Sequence, residues 1–113
     1  MQPPDIIVQR QLDAYDIGDI DAFVATYTED VEIYDHPATL RMRGRDELRE
    51  RYAKLFASAP DLKTHITKRI VIGDHVIDDE TVTGAPGGGT RRAVAIYQVR
   101  DALIAKVWFI SGE

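Results

Sequence analysis

The residues best placed to do chemistry fall in the stretch Asp30-Val31-Glu32-Ile33-Tyr34-Asp35-His36-Pro37. Strand side chains alternate faces, so with Val31 and Ile33 turned to the core, Asp35 turns there too, one step before the His36-Pro37 dipeptide ends the strand. A carboxylate buried without a partner is costly, and the usual relief is a raised pKa, the property a general base needs near neutral pH. The competing reading is that Asp35 merely starts a turn, capping backbone amides ahead of Pro37. Tyr97 shares a strand face with Ala93, Ala95 and Val99, so two small side chains leave room for a ligand beneath a hydroxyl donor, unless the ring simply packs in the core. Gln11 lies in the helical arc of Val8, Leu12 and Tyr15, either facing the interior or bending its amide to solvent. In Asp78-Asp79-Glu80 either Asp79 or the pair Asp78 and Glu80 points inward, and Asp79 is read as the pocket residue. Trp108 lies on a strand that is apolar on both faces, and it is expected to wall the cavity together with Phe23 and Phe56.

The elements that must hold these groups follow from the periodicity. Pro3 and Pro4 suit the first turn of a helix that carries Val8, Leu12 and Tyr15 and ends at Gly18. Asp19 caps a second, short helix with Ile20, Phe23, Val24 and Tyr27 on its apolar face. The strand carrying Asp35 comes next, and residues 38–44 read as a loop. A third helix starts after Gly44, with Asp46 and Glu47 favoured in its first turn by the dipole, and stops before Pro60; its stripe is Leu48, Tyr52, Leu55 and Phe56. From Leu62 the period changes to two, giving four long strands separated by Gly73-Asp74, by residues 84–89 and by Arg100-Asp101-Ala102. Three helices gathered on the concave side of a strongly curved antiparallel sheet make an α+β cone with a central pocket, filling residues 1–113 as one domain.

Composition removes several classes of function. A net charge of −5 over 113 residues lacks the basic footprint that nucleic acids require. The absence of cysteine excludes a disulfide framework, a thiol nucleophile and a thiolate metal site. His36, His65 and His75 stand on separate segments without ligand spacing, so no metal is expected, and no cofactor motif is present. The tract from Gly84 to Gly89 lacks the ending of a phosphate loop and joins two strands instead of opening a helix. With only Ser58 and Ser111 as serines and no nucleophile elbow, a serine triad has no support. The N-terminal region has no continuous apolar run, which argues against a signal peptide or membrane span and for a cytoplasmic protein.

Val8-Gln9-Arg10, Gly18-Asp19-Ile20-Asp21, Val31 to Asp35 and Gly44 to Tyr52, in this order of elements, resemble the nuclear transport factor 2-like superfamily, in its SnoaL-like and ketosteroid isomerase-like branch. The resemblance covers nearly the whole chain. It implies that Asp35, at the end of the first strand, occupies the place of the aspartate that carries a proton between carbons beside a ketone, working against an oxyanion hole of a tyrosine and a protonated aspartate. Those two donors correspond here to Gln11 and Ala95, while two supporting tyrosines correspond to Tyr27 and Tyr52. Losing one oxyanion donor typically costs about 3–4 kcal/mol of transition-state stabilisation, so Gln11 and Tyr97 would have to step in as donors. The resemblance therefore implies either a cofactor-free proton-transfer enzyme of the isomerase, cyclase or dehydratase type, acting on a small apolar, carbonyl-containing ligand, or a non-catalytic binding or scaffold protein. It also implies a homodimer formed through the outer face of the sheet. Arg41, Arg43 and Arg45 either guard the pocket mouth or lie on the surface.

Overall fold

A computed structural model describes residues 2–111. The first helix, α1 (Pro4–Ile17), starts on a proline whose missing amide hydrogen would have no helical partner anyway, and stops at Gly18, whose left-handed φ of 70° lets its N–H close onto Ala14 and Tyr15. Asp19 then caps α2 (Ile20–Val24), its carboxylate accepting the Ala22 N–H at 3.1 Å. Helix α3 (Arg45–Ser58) follows Gly44, and Glu47 in its first turn reaches back to accept the Arg43 N–H at 2.8 Å.

Six strands form one sheet: β1 (Tyr27–Asp35), β2 (Thr39–Arg43), β3 (Lys63–Ile72), β4 (His75–Thr83), β5 (Thr90–Arg100) and β6 (Leu103–Ser111). Their order is β2-β1-β6-β5-β4-β3, antiparallel throughout except that β1 lies parallel to β6. The α+β architecture with helices on one side of a curved sheet is as the sequence predicts. One element differs. Residues 38–44 read as a loop but contain β2, an edge strand whose only apolar residues, Leu40 and Met42, give a period-two signal too short to stand out, and whose bulge at Arg41 sends the two to opposite faces, so that only Met42 is buried.

Helix α1 packs on β3, β4 and β6, and α3 on β1 and β2. Between helices and sheet sits an aromatic cluster, with Phe23 fully buried against Tyr52 at 4.7 Å, Tyr27 at 5.2 Å and Phe56 at 5.5 Å between ring centres. The registers set two faces. On the concave face Ile33, Val107, Tyr97 and Val76 stand level across four strands, and Asp35, Phe109, Ala95 and Asp78 form the next row. On the outer face Leu40, Tyr34, Trp108, Ile96, Ile77 and Ile70 run as an apolar row across all six strands. Two irregularities alter the simple alternation. Arg41 is an extra residue on β2 opposite the Ile33–Tyr34 step. Ala105 is another on β6, which turns Ile104 inward, where it is fully buried.

Candidate functional site

The concave face encloses a small chamber of about 110 Å³, lined by Gln11 and Tyr15 from α1, Tyr52 from α3, Tyr27 from β1, Glu80 from β4, Tyr97 from β5 and Phe109 from β6, among others. Its central polar feature is the Glu80 carboxyl. Glu80 is 5% exposed, and its Oε2 accepts the Tyr97 hydroxyl at 3.0 Å. Burial pushes its pKa up from 4.5 to about 7; the Tyr97 hydrogen bond and the Arg69 charge hold it down, and the neighbouring Asp78 charge pushes it further up.

Asp78, one step along the same face, is fully buried and has a cation of its own. Arg69 grips it with two bonds, Nε to Oδ1 at 2.7 Å and Nη2 to Oδ2 at 2.9 Å, and steadies itself on the Gln9 amide oxygen at 2.9 Å. The pair is thus internally satisfied, whereas Glu80 has a phenol as its hydrogen-bond donor.

Four tyrosines surround Glu80 and remain protonated donors at any ordinary pH. Burial raises Tyr52 to about 12, with Arg41 pulling the other way, and raises Tyr15, Tyr27 and Tyr97 well above the ordinary tyrosine value as well. A Glu80 charge would push up all four, which places each hydroxyl within its electrostatic reach. Gln11 is 5% exposed, and its Oε1 is buried without a hydrogen-bond partner among the described residues. Its amide therefore faces the interior, not solvent.

Of the residues singled out in the sequence, Gln11, Tyr15, Tyr27, Tyr52 and Tyr97 come together around the chamber. Phe23 and Phe56 stand behind Tyr15 and Tyr52, packing against them instead of lining the chamber. Three further positions also depart from the expectation. Asp35 keeps the predicted face, level with Phe109, but not the predicted depth: β1 ends there at the rim, leaving its side chain 50% exposed and 3.6 Å from Arg41. Asp79 points to the outer face, where Arg92 holds it with bonds of 3.1 and 2.8 Å, because the inward members of the run are Asp78 and Glu80. Trp108 also lies outside, between Val107 and Phe109 on the strand, its ring stacked on Tyr34 at 6.0 Å and on His75 at 6.4 Å. The three arginines separate as well: Arg41 overhangs the Phe109 ring at 6.0 Å, Arg43 pairs with Glu32 at 2.9 Å, and Arg45 donates to the Tyr27 carbonyl at 2.9 Å.

Glu80 itself was legible only as one branch of an alternative. Val76 and Val82 on one face against Ile77 with Thr81 and Thr83 on the other give β4 too small a contrast to announce which acids it buries. Among the described residues no group of three or more His, Cys, Asp or Glu side chains is arranged to hold a metal ion. No helix among them is long and apolar enough to cross a membrane.

A curved six-stranded sheet wrapped round a tyrosine-lined chamber defines a class, the cone-shaped α+β proteins of the nuclear transport factor 2-like superfamily. Within that class the sequence profile of the SnoaL-like domain matches residues 8–107, and the chain belongs to that family. No curated protein matches it in sequence. Solved structures share the fold. An uncharacterized cystatin-fold protein from Novosphingobium aromaticivorans superimposes with a TM-score of 0.88 at 23% identity, over 97% of this chain and 99% of the other. A protein assigned as a ketosteroid isomerase from Kribbella flavida gives 0.84 at 18% identity, covering 97% and 78%. A protein with a ketosteroid isomerase-like fold from Catenulispora acidiphila, solved in complex with trimethylamine, gives 0.76 at 22% identity, covering 92% and 83%.

Proposed function

We propose that the chamber binds a small carbonyl-bearing molecule and that Glu80 moves a proton on it, with the tyrosine hydroxyls and the Gln11 amide steadying the oxygen that gains charge. The observation that carries this reading is the Glu80–Tyr97 pair: a carboxyl buried in a cavity, bonded to a phenol at 3.0 Å. Near neutral pH such a group is divided between its acid and base forms, so it can remove a proton from one carbon and return it to another without a cofactor. Developing negative charge on a carbonyl oxygen would meet donors already in place in a water-poor site. The proton-carrying role that the resemblance gives to Asp35 at the rim passes in this reading to Glu80 at depth. The Ala95 position, which lacks the family's carboxyl, has Asp78 beside it on the next strand.

The chamber is too small to enclose a fused four-ring ligand. At about 110 Å³ it offers the space of about four liquid water molecules. It would take the reactive head of a ligand while the remainder lies outside. The test is exchange of protons for solvent deuterium beside the carbonyl of a panel of small ketones, followed by NMR. Exchange by the wild type, lost in Glu80→Gln, is the expected result. Equal exchange by both proteins would sink the assignment, and binding without exchange would leave the chamber a receptor site in which Glu80 only recognises the ligand.

We also infer a homodimer that covers the outer face. Its support is the apolar row from Leu40 to Ile70, with Leu40 at 42% and Ile70 at 57% exposure and Ile110 beside it at 42%. Sedimentation should show a dimer at micromolar concentration, and Ile70→Lys should convert it to monomer; a wild type that sediments only as monomer refutes it.

A further inference from the structure

The inner chamber opens into a wider mouth of about 230 Å³ that shares Tyr15, Tyr52, Val82, Ala93 and Phe109 with it. In a chain of net charge −5, this mouth is lined by Arg41, Arg91 and Arg92 and, among the described residues, by no acidic one. Arg92 is committed to Asp79 on the other face of the sheet. The other two are available. Arg91 stands level with Val82 on the concave face and makes a 3.5 Å contact with the Pro86 carbonyl. Arg41, carried on the bulge of β2, is 3.6 Å from Asp35, and both partners are about half exposed, so the contact is weak and easily exchanged. At the far end, the Gln11 Oε1 is buried and lacks a partner among the described residues, an acceptor left for a hydroxyl or, with the amide turned, a donor left for a carbonyl.

We propose that the ligand is a short oxo- or hydroxy-substituted oxyanion, its charged end held between Arg41 and Arg91 at the mouth and its neutral oxygen seated inside against Gln11 and Tyr97. This rests on the reading that the chamber is the ligand site, and it names the class of molecule that fits. A guanidinium fork matches a carboxylate or a phosphate and prefers both to a neutral ester. Two guanidiniums on opposite strands of the rim bring the charge in from solvent while the apolar walls of Phe109, Val82 and Leu62 take the carbon chain. Their fields already reach inward, since Arg41 opposes the upward push of burial on Tyr52 and Arg91 does the same for Tyr15.

The test is an NMR titration of the full chain with a homologous series of linear keto acids, their methyl esters and dihydroxyacetone phosphate. At least one acid or the phosphate should bind, with shifts at Gln11 and Tyr97 as well as at the Arg41 and Arg91 side chains, and its methyl ester should bind about tenfold more weakly. Arg41→Gln and Arg91→Gln should each weaken the anion by about the same factor without affecting the ester. Asp35→Asn, by releasing Arg41, should tighten the anion. Equal affinity for acid and ester, arginine variants that weaken both alike, or no binding by any member overturns the proposal; which anion binds tells carboxylate from phosphate. Failure here is separable from failure of the proton-transfer reading. Acid and ester binding equally well in the chamber, with exchange still dependent on Glu80, would remove the anion preference and leave the chemistry. A preserved acid preference with exchange indifferent to Glu80→Gln would do the reverse.

Discussion

Three carboxylates on the concave face meet different fates. Asp35 ends β1 at the rim, half in water, facing an exposed arginine. Asp78 is fully buried and gripped by Arg69, and Glu80 is nearly as buried but is held by the Tyr97 hydroxyl. Face alone therefore does not make a reactive acid. Depth sets the desolvation that raises the Glu80 pKa, and Asp78, buried as deeply, differs in carrying a cation bonded to it.

The contrast can be broken at each carboxylate. Glu80→Gln should lower proton exchange on a bound ketone by about 10²–10⁴-fold, while Asp35→Asn should leave the exchange step on the bound ligand near wild type. Arg69→Met strands a buried charge at Asp78 and should cost about 3–5 kcal/mol of stability, read from the urea midpoint at neutral pH. A third effect concerns pH. Folding raises the Glu80 pKa from 4.5 to about 7, so the folded state holds this proton more tightly and its contribution is fully present below 4.5 and lost as pH rises through 7. The loss amounts to about 3 kcal/mol, and the same urea titrations repeated from pH 4 to 8 should show that Glu80→Gln removes this part of the decline. Tyr97→Phe takes away the bond that holds the Glu80 pKa down, so the carboxyl carbon of Glu80 should titrate at still higher pH. Smallest of all, Arg41→Met should change stability by less than about 1 kcal/mol, because its pairing with Asp35 is long and solvated.

Much of this architecture was written plainly in the sequence. The helices announced themselves through Pro4, Gly18, Asp19 and the acids after Gly44, and the meander through its change of period at Leu62. What stayed hidden depended on neighbours in space. Thr39 to Arg43 form a strand because β1 offers them a ladder, and the two apolar residues that alternate in them, Leu40 and Met42, are too few to announce it alone. Asp35 could be assigned a face, but its depth depends on where β1 runs out relative to the helices. Trp108 could have served either side until Val107 and Phe109 were fixed inward. Arg69 gave no local hint of its contact with Asp78 on the neighbouring strand, nor Arg91 of its place in the cavity mouth.

The parallel pairing of β1 with β6 has a consequence for how the chain reaches this form. Tyr27 stands opposite Ile104, and the Ile104 N–H donates to the Thr26 carbonyl at 2.9 Å, so the first strand cannot take its place until nearly the whole chain exists. On a ribosome, β1 would emerge with α1 and wait, whereas β3, β4 and β5 can zip as successive hairpins. Closure of that long loop is the slow kind of contact, so the folding nucleus should lie in the meander, with the Asp35 rim completed last.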